Sequence, residues 1–130
     1  MNPAGSERVC WPYLPNPTAA TQARRRLAVQ LRTWGIGTSD AEPVLLIAYE
    51  LATNAVEHAD TPFELAVSFD GNEVVVEVHD QSPLQPHPQP LDLRAARGRG
   101  LQMVAAMAKS WNCVQHEGGK TIRAVIIPGP

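Results

Sequence analysis

From residue 18 to residue 34 the apolar positions Ala20, Ala23, Leu27, Leu31 and Trp34 recur at intervals of three and four. That spacing marks one face of an amphipathic helix, which Gly35 stops. Arg24, Arg25, Arg26 and Arg32 fall largely outside this face. They read as a solvated surface, with docking of an acidic partner as the secondary reading. Thr38, Ser39 and Asp40 are candidate N-caps for a second helix that carries Pro43 in its first turn and runs to about His58.

The period then changes from helical to alternating. Phe63, Leu65, Val67 and Phe69 define one strand and Val74, Val76 and Val78 another, with Asp70-Gly71 as the hairpin turn between them. Residues 81–97 hold Pro83, Pro86, Pro88 and Pro90 and have no period, which predicts a lid. Gly98-Arg99-Gly100 opens a third helix whose buried stripe is Leu101, Val104, Ala105, Ala108 and Trp111. Two last strands, about 113–117 and 120–127, are joined through Gly118-Gly119, and Pro128 ends the second. Residues 1–17 carry four prolines and read as a tail with a short strand near residues 9–13. Residues 18–130 make up a single domain, an α/β two-layer sandwich with a mostly antiparallel sheet.

Composition narrows the ligand classes. A 130-residue chain with 44% hydrophobic and 18% charged residues is globular, and a net charge of -2 offers no general attraction to nucleic acid or acidic lipid. No apolar run approaches the roughly 20 residues needed to span a bilayer. The first eight residues have no apolar secretory core, so the expected location is the cytoplasm. Cys10 and Cys113 fit no ligand spacing and are expected to be reduced thiols.

Four features could carry chemistry. Glu50, Asn54 and His58 are spaced at four and eight, on one stripe of an otherwise apolar helix. A carboxylate one turn before a carboxamide supplies hard oxygen ligands of the kind that suit Mg²⁺. The plain alternative is an exposed polar face, with His58 favourable to the helix dipole. Asp80 ends a strand where the proline-rich stretch begins, so its carboxylate can accept a hydrogen bond from an amino group such as that of adenine. Gly98-Arg99-Gly100 enters a helix, where backbone N–H groups and the dipole favour phosphate. Gly118-Gly119-Lys120-Thr121, taken alone, is an ordinary hairpin. There is neither a Rossmann glycine motif nor a Walker lysine.

The order of these features is more specific than any one of them: ELxxNAxxH on a helix, D-x-S at a strand end, a lid, GRGL opening a helix, and GGKT in the last hairpin. In that order the chain resembles the GHKL ATPase/kinase superfamily, most closely the small actinobacterial anti-sigma-factor serine/threonine kinases, over residues 9–128. The resemblance implies the histidine-kinase-like ATPase fold, with helices packed on one face of the sheet. It assigns Glu50 to polarise the attacking hydroxyl or water and Asn54 to hold Mg²⁺ against the phosphates. Asp80 would read the adenine amino group, with Ser82 in place of the first glycine of the D-x-G-x-G run seen in many members. Gly98, Gly100 and Leu101 would lie beside the phosphates, with Arg97 or Arg99 as the cation, and Thr121 near the adenine. His58 completes the nucleotide-binding set.

The function implied is Mg-ATP-dependent phosphorylation of a serine or threonine on an anti-anti-sigma protein that competes with a sigma factor for the kinase. A second copy of the chain is a further candidate partner. A histidine kinase is disfavoured because no dimerisation helix pair carrying a phosphoacceptor histidine is found, and a gyrase-like ATPase because no second domain follows. The alternative is a nucleotide-binding regulatory module that holds a protein partner without turnover. The presence of both Glu50 and Asn54 favours the enzyme.

Overall fold

The two alternating runs and the last hairpin fold into one sheet because each run buries only every second residue and needs neighbours on both edges. The computed structural model describes residues 7–82 and 100–128. The strands are β1 Glu7–Tyr13, β2 Phe63–Phe69, β3 Val74–Asp80, β4 Ser110–His116 and β5 Gly119–Ile126. They lie in the order β1-β2-β3-β5-β4, and every pairing is antiparallel. The sheet with its helices forms an α/β sandwich of the histidine-kinase-like ATPase type. In β3, Val74, Val76, Val78 and Asp80 are buried, while Val75, Glu77 and His79 are half-buried on the open face.

The helices α1 Ala19–Thr33, α2 Thr38–Asn54 and α3 Gly100–Met107 provide the second layer. Leu27, Leu31, Ile47 and Leu51 meet Leu65, Val67, Val76, Val78 and Ile122 in one continuous core. Burying a side chain of this size contributes about 1.5–3 kcal/mol. Helix α1 ends as its apolar period does: Gly35 takes a φ of 84°, and the Ile36 N–H bonds back to the Leu31 carbonyl at 3.0 Å. No helix among the described residues is long and apolar enough to cross a membrane.

The residues expected to form a tail supply a full edge strand, in register with β2 from Glu7↔Phe69 to Tyr13↔Phe63. Aromatic contacts pin it. Trp34 stacks on Phe69 at 5.9 Å and donates its indole N–H to Glu7 at 2.7 Å, while the Arg26 guanidinium lies 4.9 Å from the centre of the Trp11 ring. The Arg26 member of the arginine cluster therefore packs on an aromatic ring.

Three local expectations change. Helix α2 is preceded by Gly37 in extended geometry and has no side-chain cap, which places Pro43 in the second turn. The α-helical register ends at Asn54, and a π-helical turn, Ala55–Ala59, carries the chain on through His58. Helix α3 stops at Met107 because the Lys109 N–H bonds to the Val125 carbonyl at 2.7 Å and starts the pairing with β5. Ala105 is therefore exposed, and Trp111 packs from β4 instead of a helix.

At the other end of β5 the backbone makes its closest approach. Gly119 has a φ of 146°, and a Cβ there would lie 1.9 Å from the Asp80 carbonyl oxygen. Gly71 also has a left-handed φ, 95°, yet faces open space. Gly71→Ala is expected to cost about 1–2 kcal/mol, the usual penalty of that backbone region. Gly119→Ala should cost clearly more, because the end of β3 must also move; chemical denaturation of the two variants checks the difference.

Candidate nucleotide site

Connectivity brings the separate sequence features to one end of the sheet. The π-turn follows α2 directly, and three residues later β2 begins at Phe63, which pairs with Asp80. Asp80 in turn pairs with Lys120 at the start of β5. The end of α2, the end of β3 and the last hairpin therefore share one edge. Helix α3 packs along α2, and its C-terminal end turns at residues 108–109 into the far end of β4.

Asp80 is the most strongly determined side chain of the group. It is 1% exposed, and its Oδ1 accepts the Ser82 N–H at 2.9 Å. Lys120, itself 4% exposed, donates to Oδ1 at 2.9 Å and has its Nζ the same distance from Oδ2. The geometry makes a hydrogen bond only to Oδ1. Oδ2 is thus charge-balanced and buried but receives no hydrogen bond. An acceptor left open in this way is costly unless a ligand fills it.

Glu50 and Asn54 are half-buried on the last turns of α2, and His58 is exposed on the π-turn. The Asp60 N–H closes this turn on the Ala55 carbonyl at 2.9 Å, and Asp60 takes a left-handed φ of 53°. The helix changes to a π step directly after Asn54. Burial pushes the Glu50 carboxyl above its ordinary range, and the Glu57 carboxylate adds to the shift. Oxygen donors such as those of Glu50 and Asn54 fit Mg²⁺, which takes few protein ligands and completes its shell with phosphate and water.

Of the other expected residues, Thr121 lies on the opposite face. Thr121 is one residue beyond Lys120 and so points to the open face. There its hydroxyl lies 3.2 Å from His79 Nδ1 and 3.1 Å from His116 Nε2, between two imidazoles stacked at 4.8 Å. Ser82 is buried beside Asp80. Gly100 opens α3, with Leu101 next in its first turn. Arg97, Gly98, Arg99 and all but the first two residues of the 81–97 lid lie outside the described residues. Cys10 and Cys113 are free thiols. A cleft of about 530 Å³ bounded by Tyr13, Phe63, His79 and Gln81 opens nearby, but none of the expected site residues line it.

Lys120 was not singled out from sequence. Its signal lies in the register: a hairpin turning at Gly118-Gly119 puts Lys120 on the same face as the buried alternating residues of β5.

The histidine kinase-like ATPase domain model matches residues 14–126. The chain belongs to the histidine kinase-like ATPase family. No individually curated protein matches it. Among solved structures, the RsbU and RsbW domains of a Mycobacterium tuberculosis protein share its fold, with a TM-score of 0.70 and 22% identity over 95% of this chain and 33% of that one. The histidine kinase domain of a blue-light activated kinase from Erythrobacter litoralis aligns with a TM-score of 0.50 and 23% identity, over 69% of this chain and 45% of that one. The family member described here thus spans about a third and under half of these two chains respectively.

Two outcomes follow from this electrostatic arrangement. Glu57→Gln removes one cause that raises Glu50, so carboxyl NMR titration should show Glu50 ionising at lower pH than in the parent. Asp80→Asn strands a buried ammonium and should cost about 3–5 kcal/mol, the usual penalty for breaking a buried pair from one side. Adding Lys120→Met to Asp80→Asn should recover much of that loss in thermal melts.

Proposed function

We propose that this family member is a Mg-ATP-binding regulatory protein of the anti-sigma-factor kinase type, phosphorylating a serine or threonine of an anti-anti-sigma partner. The observation that carries the reading is the Asp80 carboxylate: buried, held by Ser82 and Lys120, and left with one acceptor atom open at the edge where α2 ends. An adenine amino group is a donor that satisfies such an atom. The family match and the motif order identified above support the same ligand.

In this reading Asn54 holds Mg²⁺ against the phosphates, and Glu50 orients and deprotonates the attacking hydroxyl. Phosphoryl transfer asks a protein mainly for positioning and charge stabilisation, which these residues and the N-terminal end of α3 would supply. A carboxyl raised above its ordinary range is a stronger base once ionised, which suits Glu50 to accept the hydroxyl proton. The sigma factor is the competing partner, and the cytoplasm is the expected site of action.

Calorimetry should show ATP binding that depends on Mg²⁺ and loses that dependence in Asn54→Ala. Glu50→Gln should keep nucleotide binding and cut transfer of labelled phosphate to an anti-anti-sigma acceptor by roughly 10²–10⁴, the range for a positioned base. Transfer at the parent rate would overturn the assignment of Glu50. Binding with no transfer in the parent would leave a regulatory module without turnover.

A further inference from the structure

A lysine on the buried side of the sheet, directly after a hairpin glycine pair, needs a reason to be there. Removing an ammonium from water costs several kcal/mol even after relaxation, and its partner carboxylate carries a similar cost. An apolar pair at the same positions would stabilise the sheet end without either cost. Oδ2 lies 2.9 Å from the ammonium in the ion pair but accepts no hydrogen bond, so it keeps acceptor capacity.

Its geometry is that of a two-point reader. Asp80 Oδ2 is an acceptor and Lys120 Nζ a donor, 2.9 Å apart and aligned by the cross-strand pairing Asp80↔Lys120. An ammonium carries three protons, of which Asp80 Oδ1 takes one. Neither atom can swing away. Gly119 seats the start of β5 against the Asp80 backbone, where even a methyl group would clash, and the Ser82 N–H holds the other carboxylate oxygen. The adenine edge offers the complement on adjacent atoms: the exocyclic amino group donates, and ring atom N1 accepts.

We propose that Lys120 is a base-reading residue: it donates to N1 of adenine while Asp80 Oδ2 accepts from the amino group, so the base is read by two side chains at once. The inference rests on the nucleotide reading of the Asp80 site. It adds to that reading a direct protein donor to the ring nitrogen. Lys120 has a second effect, since it cancels the Asp80 charge before a polyanionic ligand arrives.

The test compares ATP with 1-deaza-ATP, which keeps the amino group and replaces the N1 acceptor with C–H. The parent protein should bind 1-deaza-ATP about 10- to 100-fold more weakly, the range for a hydrogen bond to a charged group. Lys120→Met should bind the two nucleotides equally, and Lys120→Gln, which restores an N–H donor, should regain part of the preference. Thermal melts establish that each variant is folded, and the parent comparison needs no variant. Equal binding of the two nucleotides by the parent overturns the inference while leaving the nucleotide site intact. So does Lys120→Met that keeps the parent preference or binds ATP more tightly, since Lys120 would then be only a counter-ion. A folded parent that binds neither nucleotide overturns the nucleotide reading itself, and this inference with it.

Discussion

A carboxylate cannot sit at the end of a buried strand face without a cation or several donors beside it, and the arrangement around Asp80 follows from that requirement. Lys120 must be the cross-strand neighbour on the same face, which fixes the register of β3 against β5. Gly119 must lack a side chain, because the start of β5 reaches this position only by passing within contact of the Asp80 carbonyl. Ser82 must follow at two residues so that its N–H can turn back to Oδ1. Slipping the register by one residue would move Lys120 to the open face and leave the carboxylate unpaired in the core.

Helix α2 has to meet two opposite demands. Val44, Leu45, Ile47, Ala48, Leu51 and Ala52 need an apolar layer, while the polar Glu50 and Asn54 on the same helix stay half-buried. A straight α-helix would continue its stripe through His58. The π-turn at Ala55–Ala59 instead lets the chain leave the helix and drop into β2 within three residues. Turns of this kind recur where a helix end serves a site, since they trade a regular hydrogen-bond step for a change of direction.

Elements with a strong period were legible from sequence. The α1 stripe from Ala20 to Leu31 and the alternation of β2 and β3 needed no tertiary information, because burial on one face writes itself into the order of residues. The edge strand β1 was only partly legible: a short strand near residues 9–13 was read inside a proline-bearing tail, and an edge position that tolerates proline is a tertiary fact. The α3 boundary was misplaced because Trp111 continues a helical spacing, and only the bond from Lys109 to Val125 shows that β-pairing has begun. At the candidate site, Asp80 was found because it ends an apolar strand just where the proline-rich stretch begins. Lys120 was passed over because a lysine beside two glycines is normally an exposed turn residue. Thr121 was carried by motif, and the parity of β5 then put it between His79 and His116.

The site edge carries two acidic groups with contrasting surroundings, and the contrast supports different proposed roles. Asp80 has an ammonium at 2.9 Å and a backbone donor, so its charge is balanced and its remaining oxygen is a fixed acceptor suited to recognition. Glu50 is half-buried, and the charged neighbour that shifts it is another carboxylate, Glu57, so it holds its proton to higher pH. A partly desolvated carboxyl such as Glu50 gains when it takes a proton from a hydroxyl. The backbone contacts at Gly119 and Ser82 hold Asp80 in place, which fits the recognition role proposed for it and leaves the proposed base role to Glu50 on α2.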